Sequence, residues 1–228
     1  MRRGLLVVSA VPQSIQSDSV LEADANPDDA PRFVTTLTDP RFSRVRHWKR
    51  LPDGWLGGFD HGEWGGGVWW FSLDGSTREQ LSDQNVHDIF AVGDETWLTV
   101  GLDHLQSRAG AVLRVSHDGG HWSVVTLADL HESANVGAAV TRNAALVATY
   151  TRLLHVSSTG KVTLLHTGQH DPVNARNFVR APEGGVYFGG RHAVLRVDPT
   201  PNGECSLTWL ASRSCASSYP LTCGHTAD

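Results

Sequence analysis

The chain has 228 residues, which is enough for one all-β domain with a sizeable hydrophobic core. Its 19 Lys and Arg residues stand against 24 Asp and Glu residues, so the formal charge is −5. With this balance and no basic stripe, a nucleic-acid partner is not expected. No apolar run reaches the ~20 residues that a membrane-spanning helix needs, so no membrane span is expected either.

Residues 1–32 are predicted to be an N-terminal arm or a degenerate signal segment. Arg2 and Arg3 precede the apolar run 4–11, as in a signal peptide, but no small-x-small cleavage site follows. Residues 12–32 are polar and contain three prolines, which favours a linker. This pattern predicts a secreted or periplasmic protein, with a cytoplasmic location as the alternative.

A short strand-and-turn phrase recurs four times along the rest of the chain. It reads VWWFSLDG (68–75), AVLRVSHDG (111–119), LLHVSSTG (153–160) and VLRVDPTPNG (194–203). The equivalent positions Phe71, Val115, Val156 and Val197 follow one another at steps of 44, 41 and 41 residues. A period in the low forties that is built from strands alone is typical of β-propeller blades.

Each repeat reads as four strands of alternating apolar residues. The predicted strands are 44–51, 55–59, 68–73 and 76–81; 86–92, 96–100, 111–116 and 121–127; 136–141, 145–150, 153–157 and 161–166; 177–181, 186–190, 193–197 and 205–210. The segment RFVTTL (32–37) could add one more strand. We therefore predict an all-β fold, a small β-propeller of four-stranded antiparallel blades over 33–210, followed by an irregular tail over 211–228. Four blades are expected, with five blades or a fragment of a larger ring as alternatives.

One turn of the second repeat resembles a known propeller motif. The run Ser116-His117-Asp118-Gly119-Gly120-His121-Trp122 is similar to a shortened Asp-box, the S-x-D-x-G-x-x-W turn of sialidases and other propellers. In that family the box is a structural turn on the side opposite the active site. The resemblance therefore implies a propeller repeat protein and does not imply glycosidase activity, and no narrower family is indicated.

The loops between the second and third strands of each repeat collect polar residues. Because antiparallel strands alternate in direction, the two tight turns of a blade lie at one end and the other joins lie at the opposite end. Loops on a rigid scaffold commonly carry binding groups. The predicted binding residues at this end are Asp60, His61, Glu63, Trp64, Asp103, His104, Arg152, Arg191 and His192.

The loop that starts at Asp60 is the first candidate among these segments. Three side chains with metal-ligand chemistry, Asp60, His61 and Glu63, occur within four residues and precede Trp64. Oxygen and imidazole ligands suit a divalent metal ion, and we predict such a site at His61, Glu63 and His104. Trp64 could supply a flat apolar wall for a ligand.

Two classes of function are compatible with this pattern. The first is a non-enzymatic binding module that presents the loop face to a protein or a small polar ligand. The alternative is a metal-assisted or acid–base enzyme of the lactonase, lyase or glycosidase type. Its candidate residues are Asp60, His61, Glu63, His104 and His192.

The three cysteines lie in the last 24 residues, so disulfides do not hold the predicted core together. Cys205, Cys215 and Cys223 allow one disulfide, most simply Cys215 with Cys223, and one free thiol.

Overall fold

The computed structural model of the chain describes residues 6–8, 31–33, 37–42, 45–104, 107–167, 175–182, 184–190, 193–199 and 205–212. The described residues are almost entirely β-strand, with only short 3-10 turns in place of helix. By contacts the chain divides into two compact units. The larger covers 22–147 and 155–163, and the smaller covers 1–21, 148–154 and 164–228.

The strands form four sheets, each built from four antiparallel strands that follow one another in the sequence. Sheet I contains β2 (Val45–Arg50), β3 (Gly54–Asp60), β4 (Gly66–Ser72) and β5 (Arg78–Ser82). Sheet II contains β6 (Val86–Val92), β7 (Glu95–His104), β8 (Ser107–Asp118) and β9 (His121–Asp129). Sheet III contains β10 (Ala134–Thr141), β11 (Ala144–Thr149), β12 (Arg152–Ser157) and β13 (Val162–Thr167). Sheet IV contains β14 (Asn177–Arg180), β15 (Val186–Gly189), β16 (Ala193–Pro199) and β17 (Cys205–Ser212), and β1 (Leu6–Val8) is added at its β17 edge.

This order confirms the predicted all-β class, with four sheets of the predicted strands and a propeller-like arrangement of strands within each sheet. Each sheet is a simple meander, as a blade-length repeat with short turns requires. The predicted loop over 101–110 is wrong, because β7 and β8 continue through it as one long hairpin. Gly101 pairs with Gly110, and His104 pairs with Ser107 at its tip.

One hydrophobic cluster of the larger unit lies between sheets I and II. On β4 the even-numbered Val68 and Trp70 face this cluster, as do Leu98 and Val100 of β7. The period of two is that of a strand with each face in a different environment. The remaining buried members of this cluster are Leu51, Leu56, Val86, Ile89, Ala111, Leu113 and Val115.

The other face of sheet I carries an aromatic cluster. Trp69 and Phe71 of β4 and Phe59 of β3 pack here around Phe42, which is 3% exposed. The ring centroids of Phe42 and Trp69 are 5.1 Å apart in the edge-on arrangement that aromatic pairs prefer. Phe33 packs against the same cluster. Residues that precede the first blade therefore cover a sheet face that would otherwise be apolar and exposed.

This packing corrects the prediction of a strand over 32–37. Arg32 and Phe33 form part of a 3-10 turn, and residues 34–36 lie outside the described part of the chain. Phe33 contributes an aromatic contact, with its ring centroid 5.5 Å from that of Phe71.

The tight turns follow the predicted chemistry. Gly75 and Gly93 have φ angles of 73° and 59°, in the left-handed region that glycine adopts without a steric cost. In the turn at Asp74, hydrogen bonds from the Ser72 hydroxyl and from the amide and hydroxyl of Ser76 lower the pKa of the carboxyl from 3.8 to about 2.

The Asp-box-like turn joins two sheets. The Trp122 indole nitrogen donates to both carboxylate oxygens of Asp53, at 3.0 and 3.1 Å, and Asp53 lies in the first turn of sheet I. The His117 ring stacks on Trp122 with centroids 4.3 Å apart. The motif has a structural contact at the tight-turn end of the strands, which agrees with the resemblance.

In the smaller unit, sheet IV has five strands because β1 runs parallel to β17. Leu6, Val7 and Val8 pair with Leu210, Ala211 and Ser212. Three residues of the predicted N-terminal arm thus belong to a sheet. Cys205 is a free thiol whose pKa is raised by burial, whereas Cys215 and Cys223 lie outside the described residues.

Candidate functional site

The loop between β3 and β4, residues 60–66, is a closed and ordered turn, which we call the Trp64 loop. The Asp60 carboxylate accepts a hydrogen bond from the Gly62 amide at 2.9 Å, and the His61 amide donates to the Gly65 carbonyl at 2.9 Å. Gly62 and Gly65 have φ angles of 61° and 97°, which other residues rarely adopt. The glycines therefore allow the short 3-10 turn Gly62–Trp64 that carries the side chains outward.

Asn85, which is 7% exposed, anchors this loop from the join between sheets I and II. Its Oδ1 accepts from the His61 amide at 3.2 Å, and its Nδ2 donates to the Gly62 carbonyl at 2.9 Å. Its own carbonyl accepts from the Gly101 amide on β7 at 3.0 Å. One buried residue thus fixes the Trp64 loop relative to sheet II.

The backbone around this anchor is closely packed. A Cβ on Gly66 would collide with Asn85 Oδ1 and with the Phe59 carbonyl oxygen, and a Cβ on Gly101 would lie 2.6 Å from Ser133 Cα. Glycine is needed at both positions because other chain segments pass directly over them. The Trp64 loop, the 82–86 join and the 130–134 join therefore converge at one end of sheets I and II.

The Trp64 loop presents Trp64 and Glu63 to solvent, next to His104 of β7. Trp64 is 82% exposed, an unusual state for a residue of this size. Beside it Glu63 Oε2 lies 3.2 Å from His104 Nε2, and these side chains are 41% and 44% exposed. This surface combines a flat aromatic face with an acid–imidazole pair.

A second polar cluster lies deeper, around the start of β6. His87 Nδ1 lies 2.8 Å from the Ala134 carbonyl, and His87 Nε2 lies 3.8 Å from Asp60 Oδ2. Because the carbonyl can only accept, the hydrogen on this ring is assigned to Nδ1. The neighbouring Asp88 accepts from the Gly137 amide at 3.1 Å. These contacts connect β3 of sheet I, β6 of sheet II and β10 of sheet III.

The structure brings together some of the predicted site residues. Asp60, His61, Glu63 and Trp64 share one loop, and His104 contacts Glu63 from β7, so these five predicted residues are neighbours. His104 lies at the end of a strand and not in a loop as expected.

The side chains of the other predicted site residues lie in the smaller unit or outside the described part of the chain. Arg152 begins β12 in the smaller unit, where its amide donates to the Thr149 hydroxyl at 2.8 Å. Asp103 pairs with Arg108 in the β7–β8 backbone register, and its side chain lies outside the described part. Arg191 and His192 are outside the described residues.

The predicted metal ligands His61, Glu63 and His104 all lie in the described part of the chain. Within it no group of three or more His, Cys, Asp or Glu side chains could hold a metal ion. Glu63 and His104 face each other, but the buried His61 Nε2 has no hydrogen-bond partner. The metal site at His61, Glu63 and His104 stays a prediction.

Sequence reasoning gave no role to Asn85 or His87. A signal was present for Asn85, since a lone carboxamide directly before an apolar strand often bonds local backbone. Its partners lie 23 and 24 residues away, however, so their identity required the fold.

Comparison with known proteins gives information about the fold and not about the function. No family model and no curated protein matches the sequence. The extracellular domain of a provisionally named one-component system from B. thetaiotaomicron matches with a TM-score of 0.50 and 12% identity, over 72% of this chain and 22% of that chain. The extracellular domain of a hybrid two-component system from the same bacterium matches with a TM-score of 0.50 and 14% identity, over 69% and 21%. The chain spans about a fifth of each of these neighbours, and at such identities the likeness concerns the fold alone.

In the described part of the chain, no helix is long and apolar enough to cross a membrane.

Proposed function

We propose that this chain is a four-bladed β-propeller that acts as a non-enzymatic binding module, secreted or periplasmic, with the Trp64 loop as its binding surface. The exposed ring of Trp64 on an anchored loop is the observation that carries this proposal. Burying an aromatic side chain of this size supplies much of the free energy at binding hot spots, where Trp is enriched. Trp64 is 82% exposed in a chain that buries Trp97 completely.

The rigidity of the loop supports the same function. Asn85 and the internal turn bonds hold residues 60–66 in one conformation, so little ordering entropy would be lost when a partner binds. Glu63, which precedes Trp64 in the sequence, and His104, which contacts Glu63, supply exposed polar groups, as a specific interface requires.

The test is a thermal-shift screen with the full chain. The probes are short peptides of defined charge and mono- and disaccharides, and we expect at least one to raise the Tm. A ligand at 100 times its Kd adds about 2.7 kcal/mol, which corresponds to roughly 5–10 °C for a chain of this length.

Two variants test whether a rise in Tm comes from binding at the Trp64 loop. Trp64→Ser should abolish it without unfolding the chain, since the ring is mostly exposed. Leu73→Ser is the matched control, because Leu73 is 54% exposed and follows the opposite end of β4. A panel without any response, or a response that survives Trp64→Ser, would contradict the proposal.

A further inference from the structure

We infer that the Trp64 loop binds a cationic side chain, lysine or arginine, on a basic segment of a protein partner. The inference rests on the binding function proposed above and names the chemistry of the partner. Trp presents the strongest cation–π face among the side chains, and contact requires a cation within about 6 Å of the ring centroid.

Other aromatic rings of this chain already carry such a cation. The guanidinium carbon of Arg50 lies 5.2 Å from the Trp55 ring centroid, and that of Arg196 lies 5.3 Å from the Tyr187 centroid. Among the described residues, Trp64 has neither a cation over its ring nor an aromatic neighbour. Its face is open to a cation from outside the chain.

The charges around the ring have the complementary sign. Segments 60–66, 82–86 and 129–134, which converge at this end of the sheets, contain no Lys or Arg. Their exposed carboxylates are those of Glu63, Asp83 and Asp129, whereas Glu132 is buried. Glu63 directly precedes Trp64 in the sequence and its side chain is 41% exposed, and its carboxylate, which already lies 3.2 Å from His104 Nε2, can accept further hydrogen bonds from a cation.

The open shape of the surface favours a side chain on a macromolecule over a small free cation. Small ligands are generally bound in concave sites that cover most of their surface. Trp64 instead projects from a turn with 82% of its surface exposed. A partner protein can cover such a ring from outside and deliver a lysine or arginine to it.

The experiment measures the anisotropy of fluorescein-labelled hexalysine on titration with the full chain at 150 mM salt, with labelled hexaserine as the uncharged probe. Hexalysine should bind and hexaserine should not. Trp64→Leu keeps an apolar side chain but removes the π face, and it should weaken hexalysine binding about fivefold. Glu63→Gln removes one carboxylate beside the ring and should weaken binding by a similar factor.

Asp94→Asn is the matched control for general attraction to a chain of charge −5. Asp94 is exposed in the β6–β7 turn, at the opposite end of β7 from His104, and its charge is screened over that distance. The Kd of the Asp94→Asn variant for hexalysine should stay within about twofold of the wild-type value. Equal weakening by Asp94→Asn and Glu63→Gln, or unchanged binding by Trp64→Leu, would overturn the inference.

The two experiments together distinguish failure of this inference from failure of the proposed binding function. If hexalysine does not bind but an uncharged probe gives a thermal shift that Trp64→Ser removes, the cationic partner is wrong and the binding function stands. If no probe of either kind depends on Trp64, both are wrong.

Discussion

Asn85 is the residue whose replacement should most clearly separate the fold from the Trp64 loop. Asn85→Ala removes the bonds to the His61 amide and the Gly62 carbonyl. Both backbone groups keep another partner, since the His61 amide also donates to Gly65 and the Gly62 carbonyl also accepts from Gly65. The loss is therefore about 1 kcal/mol per bond, or about 2 kcal/mol in all, and not the larger cost of orphaned groups.

The assay is urea unfolding of the full chain followed by a thermal melt. About 2 kcal/mol corresponds to a fall in Tm of roughly 4–8 °C at this chain length. Gln84→Ala is the control, because Gln84 is adjacent to Asn85 and exposed. Among the described residues, its one hydrogen bond is donated by its backbone amide to Ser82 Oγ, which the substitution leaves in place. Amide exchange at His61 should accelerate in Asn85→Ala alone. Equal stability of the two variants, within about 0.5 kcal/mol, would refute the anchoring role.

Three further perturbations have defined outcomes. Gly137→Ala would push a Cβ into the Phe90 ring and should cost roughly 1–3 kcal/mol in urea unfolding; an unchanged midpoint would contradict this packing. The pKa of Asp74, about 2 against 3.8, means that its stabilisation is complete above pH 3.8 and is lost as the pH falls towards 2; the stability gap to Asp74→Asn should therefore narrow over that interval, and a constant gap would count against it. Burial lowers the pKa of His166 below 6.5, so wild type should lose stability as the pH falls from 7 to 5, whereas His166→Gln should lose less; parallel profiles would be the contrary finding.

The sheets could be predicted because their signals are local. Alternation along Val68–Trp69–Trp70–Phe71 fixes which residues face each side of sheet I, and turn residues such as Gly75 mark where strands end. The β7–β8 extension was missed because residues 101–110 have little apolar alternation. That pairing depends on the partner strand, with glycines at 101 and 110 opposite each other.

The N-terminal segment shows the limit of periodicity. Phe33 and Phe42 contribute to the aromatic cluster from irregular backbone, and no spacing rule relates them to Trp69 and Phe71. Such packing is decided by which sheet face remains apolar after the strands have paired, and this is known only once the fold is formed.

The site could be predicted in part. Glu63 and His104 follow the second strands of the first and second repeats, so the corresponding loops of adjacent repeats suggested their proximity. The contact between Asp60 and His87 was not foreseen as a pair, because it joins a loop to an inner strand of the next sheet. The exposure of Trp64 also required the structure, since a tryptophan in a loop is equally compatible with a cap over the core.

The hydrogen bond from Trp122 to Asp53 bears on how this part of the chain unfolds. The donor belongs to the last strand of the second repeat and the acceptor to the first turn of the repeat before it. A segment cut at the repeat boundary would keep one half of this bond and one side of the hydrophobic cluster between sheets I and II. The sequence repeat, which forms one sheet, is therefore smaller than the cooperative unfolding unit. Sheets I and II should unfold together in a single cooperative step.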